Sequence, residues 1–241
     1  MVRRHLSTFL MLCLGTVAVV GAGPAIRAAE RATVQEILDG RELYIDDARA
    51  RVQQTARTPQ QVRTGNSRGQ LAFETGAVGR LNRFSRMKLG NDCFLIERGQ
   101  ILVSGRQDGC TRSARLSVRG TNYVLAVGEE GDIDLAVLEG TVSVQGIRDG
   151  EPTDQPPTAV QAGQRLRLSP EGLVLSLIAL TASDYSTYLN GPLFRDFRSP
   201  LPAYGSLESY IRARVPGVSL PGAALPAPVP GLPRFGLPRL F

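Results

Sequence analysis

The chain has 241 residues, with 28 basic side chains, 22 acidic ones and a single histidine. A formal charge of +6 is too mild to mark a nucleic-acid binder. No glycine loop leads into a lysine and a hydroxyl as a phosphate cradle would need, and no GxSxG elbow is present.

Residues 1–28 read as a signal peptide. Arg3 and Arg4 precede an apolar run from Leu6 to Val20, and small residues cluster at Ala25, Ala28 and Ala29. Cleavage is expected after Ala28, with Ala25 as the second choice. The run falls short of the roughly 20 apolar residues that span a bilayer, so no transmembrane anchor is expected after cleavage. The cut removes three of the 28 basic residues and leaves a net charge near +3. It also removes His5, the only histidine, which excludes serine–histidine–acid and cysteine–histidine mechanisms and histidine-based zinc sites. Almost every remaining cation is arginine; Lys88 is the only lysine. The expected location is the periplasm or exterior of a bacterial cell.

Two cysteines remain, Cys93 and Cys110, without the CxxC spacing of a redox pair. In an oxidising compartment they are expected to form a disulfide, which contributes on the order of 3 kcal/mol.

Residues 31–177 read as β throughout, with short alternating runs punctuated by glycine. Asp39-Gly40 predicts a two-residue hairpin joining the strands on either side. Residues 95–103 predict a strand pair turned at Arg98-Gly99. Tyr123, Leu125 and Val127 face Ile133, Leu135 and Val137 in the clearest hairpin, and a second turn is expected at Glu139-Gly140. Residues 148–158 are rich in proline and aspartate and predict a mobile loop. The fold class is all-β: a single antiparallel sandwich or roll of short strands.

A short helical extension is expected over residues 178–215. Thr181 or Ser183 can cap a helix running to Leu189, and a second runs from Ser206 to Val215. Residues 216–241 contain seven prolines and predict a disordered tail.

Within the β region, residues 61–172 carry five fragments in a telling order: Arg63-Thr64-Gly65; Arg98-Gly99-Gln100; Arg119-Gly120-Thr121; Leu138-Glu139-Gly140-Thr141; and Gln161-Ala162-Gly163. This segment resembles the FecR domain family. The resemblance implies an all-β extracytoplasmic domain whose motif residues, Arg63, Thr64, Gly65, Gly120, Thr121, Glu139, Gly140 and Gly163, shape turns. The family's namesake relays an outer-membrane iron-uptake signal to a sigma factor, a role that also needs a cytoplasmic part. Only five residues precede Leu6 here, so a stand-alone exported binding module is expected in place of a relay.

Glu129, Glu130, Asp132 and Asp134 approach a calcium-ligand spacing but sit at a predicted turn, where acids are usually solvated. No metal or other cofactor is expected. Arg80, Arg83, Arg86 and Lys88 form the densest basic stretch, flanking Phe84, and offer a contact for an anionic partner. The expected function is non-enzymatic binding of a protein or cell-envelope component, not nucleic acid. The competing readings are a membrane-anchored relay and a carboxylate-based hydrolase of envelope glycans, which would need two facing acids in a cleft.

Overall fold

The computed structural model describes residues 30–220. The chain opens with β1 (Arg31–Leu38), then the short β2 (Leu43–Ile45), β3 (Ala48–Arg49), β4 (Thr55–Arg57) and β5 (Gln61–Thr64). β6 (Arg68–Phe73), β7 (Val78–Leu81) and β8 (Arg86–Lys88) lead to the long β9 (Phe94–Gly105). The two-residue β10 (Gly109–Cys110) precedes the longest strands, β11 (Ala114–Val127) and β12 (Ile133–Arg148). β13 (Glu151–Pro152), β14 (Thr158–Gln161), β15 (Gln164–Leu168) and β16 (Val174–Ala179) complete one open, mostly antiparallel sheet. Two helices follow, α1 (Ala182–Leu189) and α2 (Tyr204–Arg214).

The long strands organise the sheet by bending. The first half of β9 pairs with β8, and its second half pairs with β7 and β11. β12 likewise leaves β15 and joins β14. The bends fall at Gly99 and Gly140, with φ near +86° and +87°. A Cβ on Gly140 would lie 2.6 Å from the Gly120 carbonyl oxygen, so only glycine fits. The sequence predicts chain reversals at both positions, whereas the structure has mid-strand bends. A reversal needs two turn residues in series, while one residue with positive φ between fully paired strands makes a bulge that turns the strand into a second layer.

The two Asp-Gly dipeptides behave differently. Asp149-Gly150, inside the predicted loop, closes a hairpin between β12 and β13. Asp39-Gly40, the predicted hairpin, turns the chain, but β1 and β2 do not pair. β4 flanks β1 only over Arg31–Thr33, and β2 does not take the edge that is left beside Leu38; it pairs with β3 and β5, which carry it into the other branch of the sheet.

Beyond the bend in β9 the sheet divides into a β8–β5–β2–β3 branch and a β7–β6–β1–β4 branch. Leu43, Ile45, Val62 and Met87 from the first meet Val34, Leu71 and Leu81 from the second in one buried core. Inward residues of the long strands, among them Ile101, Tyr123, Leu125, Leu135 and Val137, fill its middle. Cys93 and Cys110 are disulfide-bonded with Cα atoms 5.8 Å apart, which fastens β10 where it runs parallel to β9.

A second apolar cluster lies on the opposite face. Val78, Leu102, Val124, Ala136 and Leu138 point outward from β7, β9, β11 and β12 and are covered by Tyr185, Leu189, Leu193, Phe194, Leu207 and Ile211. The extension is therefore a lid on the sheet. α1 begins where Thr181 accepts from the Asp184 amide and the Asp184 carboxylate accepts from the Thr181 amide, satisfying both exposed donors. The predicted signal peptide and nearly all of the predicted tail lie outside the described residues.

Candidate functional site

The motif residues act on the fold. Thr64 donates to the Asn82 carbonyl at 2.6 Å and accepts from the Ser85 amide at 2.9 Å. The Gly65 amide donates to the Glu42 carbonyl, and that of Gly163 to the Val137 carbonyl. Arg119-Gly120-Thr121 lies against Glu139-Gly140-Thr141 where the β11–β12 register slips. Glu139 accepts from the Asn122 side chain at 3.0 Å, and burial lifts its carboxyl above the ordinary value.

The basic stretch separates into three environments. Arg80 is a correction: it is 4% exposed and faces the lid, not a solvent-borne partner. Its guanidinium donates to Gln70 at 2.7 Å, to the Leu193 carbonyl at 3.1 Å and to the Ser199 carbonyl at 2.8 Å, and stacks 4.3 Å from the Phe197 ring centre. Burial pulls it down to about 10, so it still carries its charge at neutral pH. Arg68, also buried, pairs with Asp39 at 2.6 Å and donates to the Pro192 and Arg195 carbonyls. That hydrogen bond holds the Asp39 carboxyl below its ordinary range. Together Arg68 and Arg80 grip the segment between the two helices. Arg83 is exposed and pairs with Asp39 at 2.7 Å.

Arg86 and Lys88 do reach solvent, on either side of the buried Met87. The company of Arg86 is not legible as a run in the sequence. Strand register sets Arg63 opposite Arg86, and Arg86 opposite Arg98. Tyr44 lies opposite both Arg63 and Arg49, so five residues from five adjacent strands form one outward row. Arg63 stacks 4.0 Å from the centre of the Tyr44 ring, and Arg49 lies 6.0 Å from it. Arg63, Arg86, Arg98 and the exposed Phe84 line a depression of about 140 Å³. Arg98 pairs with Glu129 at 2.9 Å; among the described residues no carboxylate pairs with Arg49, Arg63 or Arg86.

The predicted acidic cluster does not converge. Glu129 turns to Arg98, and Asp134 is held by Arg165 and Arg167.

No family model matches the chain, and no curated protein does. Among solved structures it is similar to two crystal structures of a "putative anti-sigma factor" from Parabacteroides distasonis ATCC 8503. The first has a TM-score of 0.45 at 15% identity, covering 54% of this chain and 65% of that one. The second has a TM-score of 0.40 at 18% identity, covering 52% and 61%. The match spans less than two thirds of either chain, and at that level of likeness neither carries a functional argument.

A second surface went unread in the sequence as a site. Among the described residues β16 ends the sheet and pairs only with β15, and its other rim has no sheet neighbour there. Val174, Leu175, Leu177 and Ile178 on it, with Leu173 just before, are all exposed, Leu175 at 62%. No helix among the described residues is long and apolar enough to cross a membrane.

Proposed function

We propose that this chain is an exported FecR-like β-domain that binds a protein partner and carries out no chemistry of its own. The observation that carries the reading is β16: an apolar strand exposed on both faces, at the edge of the sheet that the described residues form. Such edges are a liability that proteins normally blunt with charge, bulges or cover. Leaving one apolar fits a surface that receives an added strand, where backbone hydrogen bonds give affinity and alternate side chains give selectivity. The partner is a protein segment that pairs in extended form. The disulfide fits an oxidising compartment.

The test places a photocrosslinking residue at Leu175 and, as a control, at the exposed Arg119, in cells that export the protein. A defined heteromeric product from position 175, lost in Ile178→Asp, supports the reading. Equal products from both positions, or only a product with a second copy of this chain, overturns it. Mass measurement of the exported protein checks the compartment: a start near Ala29 supports export, and an intact Met1 overturns it.

A further inference from the structure

We propose that the row Arg49–Tyr44–Arg63–Arg86–Arg98 is a binding site for a linear acidic polysaccharide, whose carboxylates pair with the arginines. The proposal rests on the exported reading above, but it uses a surface separate from β16. Like charges directly opposite one another on neighbouring strands oppose sheet formation. Here three arginines stand in succession on β5, β8 and β9, and among the described residues only Arg98 has an acid partner. Folding alone gains nothing from that arrangement, whereas an anionic ligand does.

The geometry selects the ligand. Adjacent strands lie about 4.8 Å apart, so the row sets out its side chains at nearly even intervals over roughly 19 Å. A pyranose unit in a linear polysaccharide repeats on much the same length, so successive uronate carboxylates can meet successive guanidiniums, each in the paired-fork geometry arginine favours. Arg63 is already held flat on Tyr44, so less rotamer freedom is lost when it binds. Phe84, 58% exposed, presents an apolar ring beside the arginines.

The row is one residue wide. Beside it, Gln61 bonds to Asp46 and to Glu97, which puts acids along one flank. A membrane presents its anions over an area and would meet those acids as readily as the arginines; a single chain avoids them. Single-stranded nucleic acid would call for a series of open aromatic platforms under successive bases, whereas the row offers one, Phe84, and guanidiniums already lie over Tyr44.

The test is calorimetric titration of the folded protein with hexagalacturonate, against neutral maltohexaose, an oligothymidylate and anionic phospholipid vesicles. Hexagalacturonate is expected to bind, more weakly at high salt. Arg86→Gln and Arg98→Gln should each weaken it about tenfold. Arg119→Gln and Leu175→Asp should leave it unchanged, which separates this site from the β16 reading. Arg86→Gln should also melt no lower than the parent, as follows if the arginine is kept for a ligand. Absence of binding, equal binding of maltohexaose, indifference to Arg86→Gln, or a lower melting point for that variant overturns the proposal. Tighter binding of the oligonucleotide or the vesicles overturns the ligand class.

Discussion

Arg80 is a buried cation that pairs with no carboxylate among the described residues, and replacing it with methionine asks whether such a charge helps or harms. Its guanidinium makes three hydrogen bonds, two of them to carbonyls of the lid. Hydrogen bonds from a charged group contribute ~1.5–3 kcal/mol each, or ~4.5–9 kcal/mol for the three. Against them stands the cost of burying the charge. The fall from the ordinary guanidinium value to about 10 corresponds to roughly 3 kcal/mol. The bonds win by ~1–6 kcal/mol, and Arg80→Met should lose ~3 kcal/mol, since methionine fills the stem's volume and can still contact Phe197. Urea unfolding followed by circular dichroism measures the loss, and limited proteolysis between residues 190 and 203 shows whether the lid has loosened. A variant as stable as the parent, or more stable, would refute the reasoning. It would place Arg80 with the buried charges that apolar residues replace at a gain.

Three further outcomes follow from the same structure. Replacing Cys93 and Cys110 together with serine should lower the melting temperature by ~6–12 °C, the equivalent of about 3 kcal/mol in a chain of this size, by scanning calorimetry. Gly140→Ala should cost at least ~2 kcal/mol in urea unfolding, because it combines positive φ with a clash against the Gly120 carbonyl; a neutral result would show that the bend relaxes freely. Arg68 holds the Asp39 carboxyl below the ordinary value of 3.8, so its contribution is present above that value and is lost as pH falls through the lower folded value. Melting curves taken into that acid range should therefore converge for the parent and Asp39→Asn, while at neutral pH the parent stays ahead.

What the sequence disclosed, it disclosed through local chemistry. The β11–β12 hairpin appears where period-two alternation placed it, with Leu125 opposite Leu135 and Tyr123 opposite Val137. The Thr181 cap and the cysteine pairing were equally readable. The misreadings share a cause, which is that a local signal cannot say what lies beside a strand. Gly99 and Gly140 carry turn chemistry but sit between strands already paired on both sides. Asp39-Gly40 carries hairpin chemistry, but the strand after it is claimed by β3 and β5 in the other branch of the sheet. The second core did leave a trace: Ile101-Leu102-Val103 and Leu135-Ala136-Val137-Leu138 are unbroken apolar runs, which mark strands buried on both faces. The arginine row left none, because its members stand up to 54 positions apart and only register assembles them.

The clamp on the lid has a consequence for biosynthesis. Arg68, Arg80, Ser104 and Asn122 belong to four different strands, and each holds main-chain atoms of the segment between Pro192 and Ala203, up to 127 positions further on. The lid can close only when all four strands are in register, and that segment is made after every strand that grips it. Until then Leu102, Val124 and Leu138 face solvent. A chain with one of these strands out of place loses part of the grip and covers that apolar face less well, the kind of surface that proteases and chaperones recognise.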